Sequence, residues 1–437
     1  MPIVLSLSGQ LEVGERKLSR QEARDWLARA ALWFEGVGDV VLDTRLMRDA
    51  DDRPVLLVDL HPVSTPVEVR LAANGRLRVT AATTPAGPGY HQHLCKLLRQ
   101  LATEFDFAWI ADDCTDPTRY FASRDRGRLE QHFLNWLAAA CTGAPRALGL
   151  PAGHDYCHPG EVLTPLGPRS KEWTQIVARE PAQGIDFFPW WSSALNPSFY
   201  RNRALTRLWC EYPWRPPLTE AEGEMADQIA NDLATAFKLD PDVELPWPEW
   251  LELLAAIQAD ADGEHFCVTP TDPILSIELW KRTGPVPCGP EAPRIGYRRF
   301  PVRVSLDGGW SIEIPGSFAE EWDEQRNWTA WDRTRTVWFR RMGFTKPDGS
   351  TPTAAEALEM GLPTLPEGER IAEFHLEGAR GIAMFGATEE EGRTLWRLSG
   401  IASTDGFLAV CNIYCESESD RGWAVSIWNS LRQSNGH

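Results

Sequence analysis

The sequence predicts a multidomain α+β protein, and three observations carry that reading. Residues 1–150 interleave strand and helix patterns. Residues 151–290 change to an acidic, Trp- and Pro-rich stretch that is mainly helical. Residues 291–437 alternate apolar and polar side chains through several antiparallel strand candidates and close on a helix. At 437 residues the chain exceeds one ordinary domain, since domains usually hold about 100 to 200 residues.

In the first region, Ile3–Ser8 reads as a strand. Ser19–Phe34 reads as a helix, with Ala23, Trp26, Leu27, Ala30, Ala31 and Phe34 at helical spacing behind a Ser19/Glu22 capping box. Asp39–Leu42 and Pro54–Leu60 look extended. Val67–Thr80 is a hairpin about Asn74-Gly75, a pair suited to positive φ. After Gly87-Pro88-Gly89 come helices over His91–Phe105 and Leu129–Cys141.

The middle region clusters aromatics with proline in Phe188–Trp191, Glu211–Pro217 and Leu245–Trp250. There the prolines stop helices and the rings pack between short elements. Thr219–Phe237 is a helix with Thr219 as N-cap and Glu222 three residues on. The Pro- and Gly-rich stretch Arg282–Pro293 is the expected linker.

In the last region, Phe300–Ile314 holds two short strands about Asp307-Gly308-Gly309, and Trp328–Phe339 is another alternating segment. A short helix is expected near Thr353–Met360, strands over Arg370–Phe385, Thr394–Thr404 and Phe407–Tyr414, and a final helix over Asp420–Leu431.

Composition bounds the function. Hydrophobic residues make up 43% and charged residues 24% of the chain, a globular balance, and no apolar run nears the roughly 18 residues that span a bilayer. The N-terminus has no basic region ahead of its apolar run, so a cytoplasmic protein is expected, with no membrane insertion. The nine cysteines include no CxxC pair, which speaks against a disulfide framework. The net charge is −18, divided as −1, −11 and −6 over the three regions. Such acidity repels phosphate backbones, so direct nucleic-acid binding is not expected and a basic protein partner fits better.

The C-terminal third resembles the PsbP and Mog family, which includes bacterial DcrB-like modules. The likeness rests on Gly309–Pro315 (GWSIEIP), on late strands ending in Gly406–Val410, and on the Trp423–Leu431 helix with its Ser430-Leu431 end. The resemblance implies an antiparallel-sheet α/β/α sandwich and a binding role, members of the group serving as partners in assemblies and as adaptors for secreted effectors. It supplies no catalytic residue. No family is recognised for residues 1–290.

Two sets of site residues follow. Trp322, Trp328 and Trp331, set among Glu320, Glu321, Asp323 and Glu324, form the expected partner-facing edge, where acids steer a basic partner and aromatics add short-range affinity. No cofactor goes with this reading, in which the chain is a non-enzymatic bacterial immunity protein or effector adaptor. The alternative is a hydrolase using His91, His93, His154, Cys157 and His158, as zinc ligands or with a histidine as general base, since imidazole and thiolate suit tetrahedral zinc. Their spacing matches no standard zinc pattern. Asp112, Asp113 and Asp116 could hold magnesium or simply form a turn, and Gly87-Pro88-Gly89 is a weak anion loop. A structural subunit of a defence or secretion assembly is a third possibility.

Overall fold

The structure, a computed structural model, describes residues 2–12, 16–37, 40–49, 51–143, 145–258, 278, 281–282, 294–346, 348–376, 379–390 and 392–434. The expected linker lies outside the described residues from position 283 onward. The chain divides into two compact units. The first comprises Met1–Ala152, Pro159–Tyr212 and Glu224–Gly296, and the second Gly153–His158, Pro213–Gly223 and Tyr297–His437. Most of the middle region thus clusters with the first 150 residues.

The first unit opens with β1 (Val4–Gln10), α1 (Arg20–Gly36), β2 (Asp43–Arg48), β3 (Pro54–Asp59), β4 (Val67–Leu71), β5 (Arg76–Ala82), α2 (Pro88–Glu104) and β6 (Ala108–Trp109). Its antiparallel sheet has the order β2-β3-β4-β5-β1-β6. Leu7, Val79, Val69 and Leu56 fall in one register row and are fully buried, so period-2 alternation builds the core face directly. Ser19 caps α1 through the expected box with Glu22, and Gly75 adopts φ 78° at the β4–β5 turn. The strand expected at Asp39–Leu42 is displaced: Asp39 lies outside the described residues, Val40–Leu42 is not strand, and β2 follows at Asp43. It is a charged edge strand (DTRLMR) whose polarity hides its pairing with β3.

A one-turn helix, α3 (Tyr120–Ser123), and the longer α4 (Arg126–Thr142) complete this part of the chain. Strand β7 (His154–Tyr156) belongs to the second unit. The middle region then supplies β8 (Val162–Thr164), β9 (Gly167–Arg169), α5 (Lys171–Arg179), α6 (Pro197–Cys210), α7 (Glu220–Leu239) and α8 (Trp247–Gln258), and is mainly helical. Its aromatic clusters form core: Trp190, Phe188 and Trp250 are each 1% exposed. A buried ion pair joins α6 to α7, where Arg203 Nε and Nη2 donate to the Asp232 carboxylate at 2.7 and 2.5 Å.

The second unit contains two sheets. In the smaller, β10 (Val302–Ser305) pairs with β11 (Trp310–Ile314) on one side and with β7 on the other, and β19 (Arg432–Gln433) flanks β11. The larger is seven-stranded and antiparallel, ordered β12-β13-β14-β18-β17-β16-β15. Its strands are β12 (Ala319–Trp322), β13 (Trp328–Trp331), β14 (Arg335–Gly343), β15 (Glu369–Leu376), β16 (Ala379–Glu390), β17 (Arg393–Thr404) and β18 (Phe407–Cys415). The single strand expected over Arg370–Phe385 is two strands of a hairpin, β15 and β16, and Trp328–Phe339 likewise divides into β13 and β14.

Helix α9 (Ala354–Gly361), capped by a Thr353/Glu356 box, and helix α10 (Arg421–Asn429) lie on opposite faces of this sheet. Adjacent residues of β17 show it. Ile401 joins Leu408 and Ile382 in a cluster that also takes Leu358 of α9, while a Cβ on Gly400 would run into the Trp428 ring of α10. Successive strand residues face opposite sides, so the arrangement is an α/β/α sandwich, and only glycine at 400 lets α10 sit this close.

Gly400→Val is therefore expected to destabilise the protein by about 1–3 kcal/mol through overpacking against Trp428. Gly422→Ala, where an added Cβ meets nothing within 4 Å, should leave stability unchanged or slightly higher. Urea denaturation of the two variants checks the pair.

Candidate functional site

The outermost strand of the large sheet, β12, turns into β13 through 323–327. Asp323 builds that turn: its carboxylate accepts from Asn327 N at 2.8 Å and Asn327 Nδ2 at 2.6 Å, and Arg326 adopts φ 63°. Burial would raise the Asp323 pKa, but the bonds from Asn327 outweigh it and lower it. At the hairpin's mouth Trp322 faces Trp328 across the strands. Trp322 is 46% exposed and Trp328 fully buried. Glu321, Asp323 and Glu324 are exposed around Trp322.

Glu320 behaves differently from its acidic neighbours. Its Oε1 accepts from Arg298 Nη2 at 3.0 Å and lies 3.0 Å from His154 Nε2. The same guanidinium donates from Nε to Gly316 O at 2.6 Å and from Nη2 to Phe318 O at 3.0 Å, which satisfies the carbonyls leading into β12. Glycine is required at 316 because a Cβ there would collide with the Arg298 and Phe300 carbonyl oxygens. Burial pushes the Glu320 pKa up, but His154 and Arg298 prevail and hold it below its ordinary value. This carboxylate clamps β7 and the approach to β12, and is not free to meet a partner.

The two faces of the large sheet are covered unequally. On the α10 side, Trp328, Phe339, Cys411, Gly400 and Ala383 make a fully buried row. On the other side α9 covers Ile382, Ile401 and Leu408. Further along that face two rows lie farther from the cluster under α9. Glu321, Thr329, Trp338, Asn412, Ser399 and Met384 form one, and Trp331, Thr336, Tyr414 and Arg397 form the next. Trp331, Trp338, Tyr414 and Asn412 are half-buried, and the Arg397 guanidinium lies 6.0 Å from the Tyr414 ring centre. Exposed Glu321 shares its row with Trp338, so the acidic hairpin and the aromatic face are continuous. Trp338 and Tyr414 escape a reading based on acidic-aromatic clustering. The signal for Trp338 is its place between Val337 and Phe339, both fully buried, which leaves a large ring on the opposite face.

The histidine and cysteine candidates have structural partners. His91 is fully buried, with Nδ1 3.0 Å from Thr83 Oγ1 and Nε2 3.3 Å from Thr118 Oγ1 and 3.5 Å from Asp116 Oδ1. His93 packs 5.1 Å from the Trp190 ring, and burial together with Lys96 lowers its pKa to about 4. Both stand in the first unit, whereas His154, Cys157 and His158 stand in the second. His158 packs edge-on against Tyr297 and Phe300, and burial raises the Cys157 thiol pKa. Among the described residues no group of three or more His, Cys, Asp and Glu is placed to hold a metal ion.

Asp116 organises a turn, accepting from Thr118 N at 2.9 Å, Thr118 Oγ1 at 2.7 Å and Phe121 N at 2.7 Å. In the expected anion loop the Gly89 N–H is already bonded to Trp190 O at 3.0 Å.

Replacing Glu320 by Gln is expected to cost about 1.5–3 kcal/mol at neutral pH, the scale of hydrogen bonds to a charged group. Because the folded pKa lies below the ordinary 4.5, the stabilisation is present above that value and disappears as the pH falls through the lowered one. Denaturant titrations at pH 7 and below pH 4 should show the gap between wild type and Glu320→Gln closing.

No family model and no curated protein matches the chain. Among solved structures, one from Bacteroides thetaiotaomicron VPI-5482 is similar at 12% identity and a TM-score of 0.25, covering 30% of this chain, which spans only 47% of that protein. The solution structure of cyanobacterial PsbP (CyanoP) from Synechocystis sp. PCC 6803 is similar at 13% identity and a TM-score of 0.19, covering 35% of this chain and 100% of that one.

Proposed function

We propose that the chain is a non-enzymatic, cytoplasmic protein-binding protein of the immunity-protein or effector-adaptor kind, and that it takes a basic partner segment on the Glu321–Glu324 hairpin and the adjoining aromatic face. The observation that carries this reading is Trp322, a 46% exposed ring on the outermost strand of a sheet in which Trp328, Phe339 and Phe385 are buried. Around it the free acids are Glu321 and Glu324, with Asp323 committed to the turn but still charged at the surface. Such an arrangement divides labour: surface carboxylates speed the encounter with a cationic partner, and the indole supplies a desolvated anchor.

Strand β12 ends the sheet order, and a partner strand could pair along its outer edge while Trp338, Trp331 and Tyr414 offer flat apolar surface beside it. Of the residues expected at this edge, Glu321, Trp322, Asp323, Glu324 and Trp331 remain in the proposed surface. Trp328 is core and Glu320 is held by Arg298 and His154.

The reading is tested by affinity purification from the native host with wild type and with a Glu321→Lys/Asp323→Lys/Glu324→Lys variant in parallel. A stoichiometric partner should be retained by wild type, and its association rate with the variant should fall by about tenfold or more at low salt, the gap narrowing as salt rises. Trp322→Ala should raise the dissociation rate instead. Unchanged association and dissociation rates in both folded variants would remove this surface from the function.

A further inference from the structure

Around Trp190 in the first unit, among the described residues, His61 Nε2, Trp190 Nε1 and Arg207 Nε are buried without a hydrogen-bond partner, and the buried hydroxyls of Ser64 and Tyr90 have no partner but each other. They come from the β3–β4 connection, α2, the segment preceding α6, and α6 itself. The His61 and Tyr90 rings stand 6.1 and 5.7 Å from that of Trp190. His61, Tyr90 and Trp190 are each 1% exposed and Arg207 is 8% exposed. Arg207 acts electrostatically on His61, and Asp59 on both Tyr90 and Arg207, so the groups share one neighbourhood.

The chemistry of these atoms is one-sided. His61 Nδ1 accepts the Val63 N–H at 3.3 Å. Burial, aided by Arg203 and Arg207, holds the imidazole pKa well below its ordinary value. The ring is therefore neutral with its proton on Nε2, which makes Nε2 a donor. Indole Nε1 and guanidinium Nε can only donate, and the two hydroxyls can.

No neighbouring carboxylate hydrogen-bonds to them: Asp232 is engaged by Arg203, Asp59 accepts from Arg45 at 2.7 Å, and Glu211 forms an ion pair with Arg207 Nε only at 3.8 Å, beyond a hydrogen bond. Native interiors rarely leave several donors unanswered in one shell, and a buried guanidinium keeps its charge.

We propose that the Trp190 shell is a binding site for a small oxyanion, with Arg207 supplying the charge, His61, Trp190 and Tyr90 donating hydrogen bonds to its oxygens, and Ser64 donating to Tyr90. Inorganic phosphate and a small carboxylate share that chemistry. The test titrates the full chain, exchanged into chloride buffer, with sodium phosphate and with sodium acetate at constant ionic strength, reading binding heat and Tm.

One of the two should bind saturably and raise Tm. Phosphate alone would mark a tetrahedral oxyanion and acetate alone a carboxylate. Arg207→Met should weaken binding by about tenfold or more and Tyr90→Phe by severalfold, the scale of lost hydrogen bonds to a charged group. If Arg207→Met fails to fold, Tyr90→Phe and Ser64→Ala, which remove only hydroxyls, carry the comparison. No saturable response to either anion, or affinities unchanged in the folded variants, would overturn the site, as would an ordered water cluster filling the shell in a crystal grown from phosphate.

Discussion

The second unit is governed by one constraint: the central strands of its large sheet carry large apolar side chains on both faces, so both faces must be covered. In β14, Val337 and Phe339 point one way and Trp338 the other. In β17, Leu398 and Gly400 oppose Ser399 and Ile401. Helix α10 closes one face, its Trp428 seated over the only kind of residue that admits it, Gly400. Helix α9 is eight residues long and its cluster takes in only part of the other face. The half-buried aromatic rows beyond it are the geometric remainder of that shortfall, and the candidate partner surface begins there.

Charge is distributed by the same logic of coverage. In a chain of net charge −18, several acids inside each unit are tied down by cations or backbone donors. Asp232 meets Arg203 in a bidentate pair, Glu320 meets Arg298 and His154, and Asp116 gathers three backbone and hydroxyl donors near His91. Breaking such a pair leaves a charge stranded in low dielectric, which makes these groups structural. Glu321 and Glu324 lie one residue to either side of the Trp322–Asp323 turn entrance and are exposed, so adjacent acids in one short run have opposite duties. Around Trp190 the first unit gathers buried donors, with Arg207 ion-paired to Glu211 at 3.8 Å but not hydrogen-bonded to it.

The sequence by itself determined what depends on near neighbours. Ser19 with Glu22 and Thr353 with Glu356 are capping boxes because a side chain three residues away can reach the orphan amide. Asn74-Gly75 marks its hairpin because the turn needs positive φ. Of the seven residues expected at an acidic, Trp-bearing edge, Trp328 is core and Glu320 is paired with Arg298 and His154, while Glu321, Trp322, Asp323 and Glu324 are exposed and Trp331 is half-buried. What only the tertiary structure decided involves pairing across long separations.

His154 joins Val304 through the β7–β10 ladder and approaches Glu320 from far along the chain, so the inward turn of Glu320 has no local signature. Charged β2 pairs as an edge strand although none of its residues is buried. Trp328 and its cross-strand partner Trp322 share the α10 side of the sheet, yet only Trp328 is buried, because Trp322 stands on the outermost strand. Local propensity and periodicity are written in residues a few positions apart, whereas burial and ion pairing depend on which distant surface arrives, and that is a property of the folded chain alone.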